Sequence, residues 1–454
     1  MAKIENKGEN MNKECKLNFL VFLFFALYII LPSYFAIEIS SNLPLITGSR
    51  ILLILLVTYY AVKEKGKINL RIFQNKKMGK SMKKYFIIMI IVNIYFIGKT
   101  TEAIKEILTI ILEEFIVIWI ITKFITTKEK FIKSLEVLAI SSSVVAIISI
   151  IGSLLGENLF YKLNTVSRTM LMASYSRLGF VRAEAGFGHP VYYGTYNVVM
   201  ISIIMYLIEN TQNEKSWKYM LCLGLDILAL IFANSRGSIL VLGVMLIYML
   251  TYKNVKNLKK YFCFVLIALI GVIFLFIVKP EMMNFFKNIY VSLINVFSSD
   301  ATQLDNYGRN SSGLESRTMQ ISEITWTLMH NPLMGFGPAA HTRGLIKYIN
   351  RHGNWQVIET LDVGYIAIFC QFGIIGTIGT FILYKSICGI IFDKKHKKKE
   401  SVIEMFKFIY ISYFLCMFSI TRVHSLFWVI TGLLVAYINI IKIEEKNNSL
   451  KERY

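Results

Sequence analysis

The sequence predicts an all-α polytopic membrane protein with about twelve transmembrane helices. Both termini are expected in the cytoplasm, with one large extracytoplasmic loop between spans 9 and 10. Three observations predict this. The 454 residues are 55% hydrophobic, and the mean hydropathy of +0.53 lies outside the range of a soluble globule. Apolar stretches of about 20 residues, the length a bilayer core requires, recur along the chain. Lysine clusters mark every second exit from these stretches.

The start reads as a signal anchor. Lys3, Lys7, Lys13 and Lys16 precede a long apolar run without a small-residue cleavage signal, so the run is expected to stay as a helix. The apolar stretches lie near 17–36, 44–62, 85–98, 106–125, 134–155, 190–208, 217–233, 237–252, 261–279, 362–392, 403–420 and 425–441. The seventh and eighth are split only by Asn234-Ser235-Arg236-Gly237.

Orientation follows from the loops. Lys63, Lys65, Lys67, Lys76, Lys77, Lys80, Lys83 and Lys84 follow the second stretch. Lys123, Lys128, Lys130 and Lys133 follow the fourth, and Lys253, Lys256, Lys259 and Lys260 the eighth. Lys394, Lys395, Lys397, Lys398 and Lys399 follow the tenth. These even-numbered exits share the side of the N-terminus, and that side is cytoplasmic. The formal charge of +21 therefore reads as lysine facing anionic lipid, not as a nucleic-acid footprint. All six cysteines fall in apolar stretches or the N-terminal tail, so neither a disulfide framework nor a cysteine metal site is expected.

Two odd-numbered exits carry long polar loops, 156–189 and 280–361, and loops of this length are more often functional than connecting. The chain divides into a membrane domain over 1–279, an extracytoplasmic loop over 280–361 and a second membrane part over 362–454. Residues 281–297 set Met282, Phe285, Phe286, Ile289, Leu293 and Val296 on one helical face, the pattern of a helix lying on the bilayer surface. A second helix is expected from about Glu315 to His330, stopping at Asn331-Pro332.

Arginine breaks the rule that lysine obeys. Of twelve arginines, ten (Arg50, Arg168, Arg177, Arg182, Arg236, Arg309, Arg317, Arg343, Arg351 and Arg422) fall in or beside segments placed outside, and only Arg71 and Arg453 inside. The guanidinium fork holds phosphate oxygens bidentately, where lysine is a point charge. The asymmetry points to an anionic substrate at the outer face. Arg50 and Arg422 stand at the outer ends of distant spans, and nothing in the sequence assigns them a role.

Three motifs carry candidate chemistry. Arg177-Leu-Gly-Phe-Val-Arg182-Ala-Glu184-Ala-Gly186-Phe-Gly188-His189-Pro190 places two arginines, a carboxylate, a histidine and flexible glycines at one span mouth. The plainer reading is an interfacial loop binding lipid phosphates. Ser235-Arg236-Gly237-Ser238 offers a guanidinium beside free hydroxyl and amide donors, whereas a lone arginine there would simply snorkel to headgroups. The large loop supplies Arg317, Trp326 and His330-Asn331-Pro332-Leu333-Met334-Gly335-Phe336-Gly337-Pro338, then His341, Arg343, Arg351, His352, Glu359 and Asp362. These are cationic binders and candidate general bases, although any single histidine there also reads as an exposed bystander. Glu113, Glu114 and Asp226 fall in apolar zones. Such groups are functional or paired with a buried basic group, and the sequence leaves both open.

The ordered set Arg182…Gly188-His189-Pro190, Ser235-Arg236-Gly237, Arg317…Asn331-Pro332-Leu333-x-Gly335-Phe336-Gly337 and Asp362…Gly373-x-x-Gly376 resembles the bacterial O-antigen ligase and Wzy-type polysaccharide polymerase superfamily, over roughly 170–380. The resemblance implies a helical GT-C-type fold in the bacterial cytoplasmic membrane, with its active site on the extracytoplasmic face. It implies transfer of glycan from undecaprenyl pyrophosphate to an acceptor hydroxyl, without nucleotide sugar, cofactor or metal. A lipid-linked oligosaccharide would be donor and acceptor, and a flippase and a chain-length regulator the protein partners. Arg182 and Arg236 map onto the pyrophosphate binders and Arg317 is a further candidate. Arg177, His189 and Arg343 join Arg317 as substrate-binding candidates. The ligases resemble each other in a His-Asn or similar pair nine residues ahead of Gly-x-x-Gly-Thr, and here Asp362-Val363 stands at that place. This departure favours a repeat-unit polymerase, with Asp362 or His341 as base and His352 as a substitute. Ligase-type transfer to a lipid, protein or wall acceptor is the alternative. A lipid-linked glycan transporter is the non-enzyme alternative, although such folds often show inverted repeats and none is evident here. A structural membrane protein without chemistry completes the set.

Overall fold

The computed structural model describes residues 18–40, 42–65, 72, 76–166, 175–177, 180–211, 213–252, 320–350, 352–358, 360–393 and 400–451. The described elements are helical, apart from three two-stranded hairpins. They begin with α1 (Asn18–Ile30), α2 (Gly48–Lys63) and α3 (Lys76–Ile94). One continuous rod follows, formed by α4 (Glu102–Thr109), a π-helical segment (Ile110–Ile116) and α5 (Val117–Phe124). Next come α6 (Lys128–Leu155), α7 (Pro190–Asn210), α8 (Asn213–Ala233), α9 (Arg236–Tyr252) and α10 (Ile321–His330). The last three are α11 (Gly364–Ile391), α12 (Glu400–Cys416) and α13 (Leu426–Lys451). Every expected apolar stretch except 261–279 carries a helix. That stretch and the surface helix at 281–297 lie outside the described residues.

Five of these helices are long and apolar enough to cross a membrane: Lys128–Leu155, Pro190–Asn210, Ser216–Ala233, Gly364–Ile391 and Leu426–Asn448. Boundaries shift for local reasons. The first stretch was expected to reach 36, but α1 ends at Ile30, because the residue before Pro32 is driven out of helical geometry. Ala36–Ile37 (β1) then pairs antiparallel with Ile46–Thr47 (β2). Lys76, Lys77, Lys80, Lys83 and Lys84 were expected in a loop and instead form the first turns of α3. Thr47 caps α2 and Thr127 caps α6, each hydroxyl accepting from an orphan amide. Gly156 closes α6 in a left-handed conformation (φ 80°). The expected break between stretches seven and eight is real: Asn234 takes φ 47° between the end of α8 and the start of α9.

α7 is buried on nearly all sides against α6, α8 and α12, while α13 packs on α5 and α11 on α3. The expected outer loop has structure of its own. α10 and the hairpin β5 (Lys347–Ile349)–β6 (Trp355–Val357) enclose a small core of Phe336, Ala340, Ile346, Ile358, Leu361, Val363, Ile366, Ala367 and Cys370. Helix ends that the lysine pattern places outside meet at one end of the bundle. Arg182 binds the last carbonyls of α8, Arg422 meets Glu106, and the Gly364 amide donates to Met417 O.

α11 is broken at Gly373 (φ 61°, ψ −162°), a region open only to glycine. A helix would there join the Ile374 amide to Cys370 O and the Ile375 amide to Gln371 O. Residues 332–337 enter the break instead. Ile374 N donates to Pro332 O at 2.9 Å and Ile375 N to Leu333 O at 3.1 Å. Phe336 N donates to Cys370 O at 2.9 Å and Gly337 N to Gln371 O at 2.7 Å. The Asn331–Gly337 motif and the Gly373-x-x-Gly376 motif are thus two halves of one joint.

A methyl group at Gly373 would strike Leu333 O and stand 2.5 Å from Gly335 N. Gly373→Ala is expected to destabilise the protein by about 2 kcal/mol or more, strain and lost bonds combined, and to expose 331–337 to protease. Gly389→Ala, on the same helix with nothing within 4 Å, is expected to be neutral or stabilising. Thermal unfolding of both variants in detergent checks this.

Candidate functional site

A cavity of ≈ 830 Å³ lies among α1, α2, α3, the α4–α5 rod, α11 and the start of α13. Its apolar wall includes Ile29, Met89, Ile368, Phe372, Leu383 and Trp428. Its polar wall is Arg50, Glu106, Glu113, Glu114, Arg422 and His424. The two arginines without a role in the sequence therefore share one cavity.

Arg50, on the first turn of α2, is buried, and each of its three guanidinium nitrogens is engaged. Nε donates to Glu113 Oε1 at 2.8 Å, Nη1 to Leu45 O at 2.6 Å and Nη2 to Thr109 Oγ1 at 3.2 Å. Glu113 and Glu114 sit on the π-helical segment, a geometry that recurs at functional sites. Its wider winding lets consecutive carboxylates both line the cavity, with the Tyr85 hydroxyl donating to Glu114 Oε2 at 3.1 Å. For Glu113 the open question resolves as pairing with a buried base.

Arg422 differs. Its side chain is 65% exposed, and Glu106 Oε2 lies 3.4 Å from its Nη1. Beside it, His424 Nδ1 accepts from the Leu426 amide at 3.2 Å, and the ring packs on Phe187 with centroids 4.6 Å apart. Burial, then Arg422, pushes the His424 pKa down to about 4. The ring is neutral at pH 7, and with Nδ1 accepting, its proton sits on Nε2. An exposed guanidinium and a neutral N–H donor side by side can hold an anion, and the carboxylates opposite can take a proton.

The expected catalytic and binding residues lie elsewhere. None of Arg182, Arg236, Asp362, His341, Arg177, His189 or Arg343 lines the cavity. Arg182 and the turn bearing Arg236 are brought together, because Arg182 Nε donates to Ala233 O at 2.9 Å and Nη2 to Asn234 O at 3.2 Å. Arg182 thereby closes the end of α8. The Ser235 and Ser238 hydroxyls were expected free; they are buried and paired at 3.0 Å. His189 caps α7, its Nδ1 accepting from the Val191 amide at 3.1 Å. Burial, then Arg182, lowers its pKa to about 4, so it too is a neutral Nε2–H donor. Arg177 lies in the hairpin β3 (Ser176–Arg177)–β4 (Phe180–Val181). Arg343 Nη2 donates to Phe336 O at 2.6 Å and Pro338 O at 3.1 Å, tying the joint segment to the loop core. Asp362 is exposed at the foot of α11, and its amide donates to Gln320 Oε1 at 3.2 Å. His341 is half-buried, its pKa lowered by burial. Arg317, Arg351 and Glu359 lie outside the described residues.

Sequence reasoning missed Glu106, His424 and Glu323. Glu106 read as part of an apolar stretch. His424 was overlooked although Arg422-Val-His424-Ser425 interrupts two apolar runs. Glu323 is fully buried with neither carboxylate oxygen partnered, and burial, then Asp362, raises its pKa to about 9.

The family model described as O-antigen ligase matches residues 221–381. Over that segment the chain is similar to the O-antigen ligase family. The superfamily read from the ordered motifs is the one this match supports. No curated protein matches the chain. The O-antigen ligase segment holds the α8–α9 turn, the Gly373 joint, Glu323, His341, Arg343 and Asp362. It reaches the cavity through Ala367, Ile368, Gln371, Phe372 and Thr380 of α11. Arg50, Glu106, Glu113, Glu114, Arg422 and His424 lie outside the matched segment.

Two groups give opposite pH responses. The folded pKa of Glu323 is raised, so its contribution is present at low pH and lost as pH rises from the usual carboxylate range through about 9. The folded pKa of His424 is lowered, so its contribution is present above 6.5 and lost as pH falls toward about 4. Glu323→Gln is expected to flatten the alkaline limb of melting temperature against pH and leave the acid limb, with His424→Gln doing the reverse.

Proposed function

We propose that this protein joins oligosaccharide repeat units carried on undecaprenyl pyrophosphate, at the outer face of the bacterial cytoplasmic membrane. It is read as a capsule, exopolysaccharide or O-antigen polymerase. One observation carries the reading: within a chain bearing an O-antigen ligase segment, an exposed guanidinium (Arg422) and a neutral imidazole N–H (His424) share a cavity with carboxylates. In the proposed step the bond between the donor's anomeric carbon and its phosphate oxygen breaks. The pyrophosphate leaves with the electron pair, met by Arg422 and by Arg182 and Arg236 at the neighbouring turn. The acceptor hydroxyl oxygen forms the new glycosidic bond, and its proton passes to a carboxylate. His424 and His189 hold their protons on Nε2, which makes them donors. The base role falls to Asp362 or to Glu106, which is freed when Arg422 turns to phosphate. Membrane spans numbering about twelve, with both termini inside, belong to this proposal. The aspartate at 362 favours the polymerase. Ligase-type transfer of finished glycan to a separate acceptor is the alternative, and the family match supports either.

Purified protein given a synthetic lipid-pyrophosphate repeat unit and no other acceptor is expected to make a ladder of lengthening products. Reaction only after a second acceptor is added assigns a ligase. Movement of labelled glycan into vesicles with no product formed assigns a transporter and overturns the proposal. Arg422→Ala is expected to lower kcat/KM about a hundredfold at normal expression, with Arg422→Lys intermediate. Unchanged chain lengths in Arg422→Ala, Arg182→Ala and Arg236→Ala would remove the arginines from the chemistry.

A further inference from the structure

A second polar cluster lies between α6, α7 and α8, apart from the cavity. Asp226, mid-way along α8, is fully buried. The Ser142 hydroxyl donates to its Oδ1, and Oδ2 has no partner. Asn197 of α7 is also fully buried, with neither Oδ1 nor Nδ2 partnered. The hydroxyls of Tyr193, Tyr196 and Ser149 are buried and unpartnered as well. These groups neighbour one another: Ser142 bonds Asp226, Tyr196 lies beside Ser142, Tyr193 lies beside Ser149 and Asn197, and both tyrosines stand within the electrostatic reach of the Asp226 carboxylate.

Unpartnered polar atoms in an apolar interior are costly, and an ionisable group among membrane helices points to function. Four features define what would satisfy this cluster. Its acceptors are all oxygen: carboxylate, amide and hydroxyl, the donors of hard cations. No ion pair to Asp226 occurs among the described residues, so its ionised form, with a single negative charge, is balanced by a monovalent cation and overbalanced by a divalent one. Among the described residues no group of three His, Cys, Asp or Glu could hold a metal ion, unlike a transition-metal site. The three helices pack closely on one another, which favours the smaller alkali ion.

We propose that Asp226, Asn197 and the hydroxyls of Ser142, Tyr193 and Tyr196 form a sodium-binding site within the helix bundle. It stands independently of the glycan-transfer reading, and its test needs no turnover. Full-length protein in nanodiscs is expected to bind radioactive sodium saturably, one ion per chain. Its melting temperature should rise as sodium replaces N-methylglucamine at constant ionic strength. Asp226→Asn, which keeps shape and removes charge, is expected to abolish both effects. Asn197→Ala and Ser142→Ala are each expected to weaken binding about tenfold, which keeps the test open should Asp226→Asn fail to fold. No saturable sodium binding by the wild-type protein overturns the proposal. So does equal binding by Asp226→Asn, or a melting temperature that follows pH and ignores sodium, which would assign the cluster to a proton.

Discussion

The break in α11 is the constraint on which the rest depends. Opening two helical bonds in an apolar setting strands two amides and two carbonyls, and a membrane interior tolerates none of them unpaired. The backbone of 332–337 satisfies all four. That fixes where the expected outer loop meets the bundle. It also sets the first half of α11, whose Gln371 and Phe372 wall the cavity. Loop and helix therefore cannot move independently. Two glycines of the joint are there for a close approach between its halves: Gly335 against Cys370 and Gln371, Gly373 against Leu333 and Gly335.

The cavity's charges divide by how they are held. Arg50 and Glu113 form a tight pair with side chains 10% and 22% exposed, and every guanidinium nitrogen of Arg50 is engaged. Separating such a pair leaves a buried charge uncompensated, at a cost on the order of 3 kcal/mol. Arg50 is a wall. Arg422 is held at 3.4 Å by a single contact to Glu106 and is 65% exposed where it lines the cavity. A loosely held cation next to a pinned imidazole is free to exchange Glu106 for another anion. The same fold supplies both a rigid arginine and an available one, and only the second suits a site that must release its product.

The helices were legible because an apolar run of bilayer length has few other uses. The break at 234–237 and the stop at Asn331-Pro332 were legible from turn chemistry. The ends of α1 and α3 were misjudged where proline and lysine acted locally. The cavity was not legible. Arg422 meets Glu106 across 316 positions and Arg50 meets Glu113 across 63. No periodicity encodes those pairings, because tertiary packing alone decides them. The two family motifs were read as separate members of one ordered set, whereas Asn331–Gly337 and Gly373-x-x-Gly376 prove to be one backbone joint. Their glycines answer to steric need before chemistry.

The loop 182–189 links the two arginine sets. Its backbone is braced throughout. Ala183 N donates to Phe232 O at 3.0 Å, Tyr34 Oη to Ala185 O at 3.3 Å and Asn158 Nδ2 to Ala185 O at 2.9 Å. Buried Glu184 accepts from Asn158 and Tyr161 on one oxygen, and burial raises its pKa. Arg182 at one end closes α8, while Gly186 and Phe187 at the other line the cavity beside His424. Gly186 packs so tightly that a methyl group would stand 2.7 Å from Pro32. Removing the Arg182 guanidinium would therefore loosen the α8–α9 turn and, through this stiff loop, the packing partner of His424. Loss of function at Arg182 is then compatible with support as well as with phosphate binding. Lysine at 182 separates the two, since a single ammonium keeps the charge but cannot hold Ala233 O and Asn234 O in the planar fork that arginine uses.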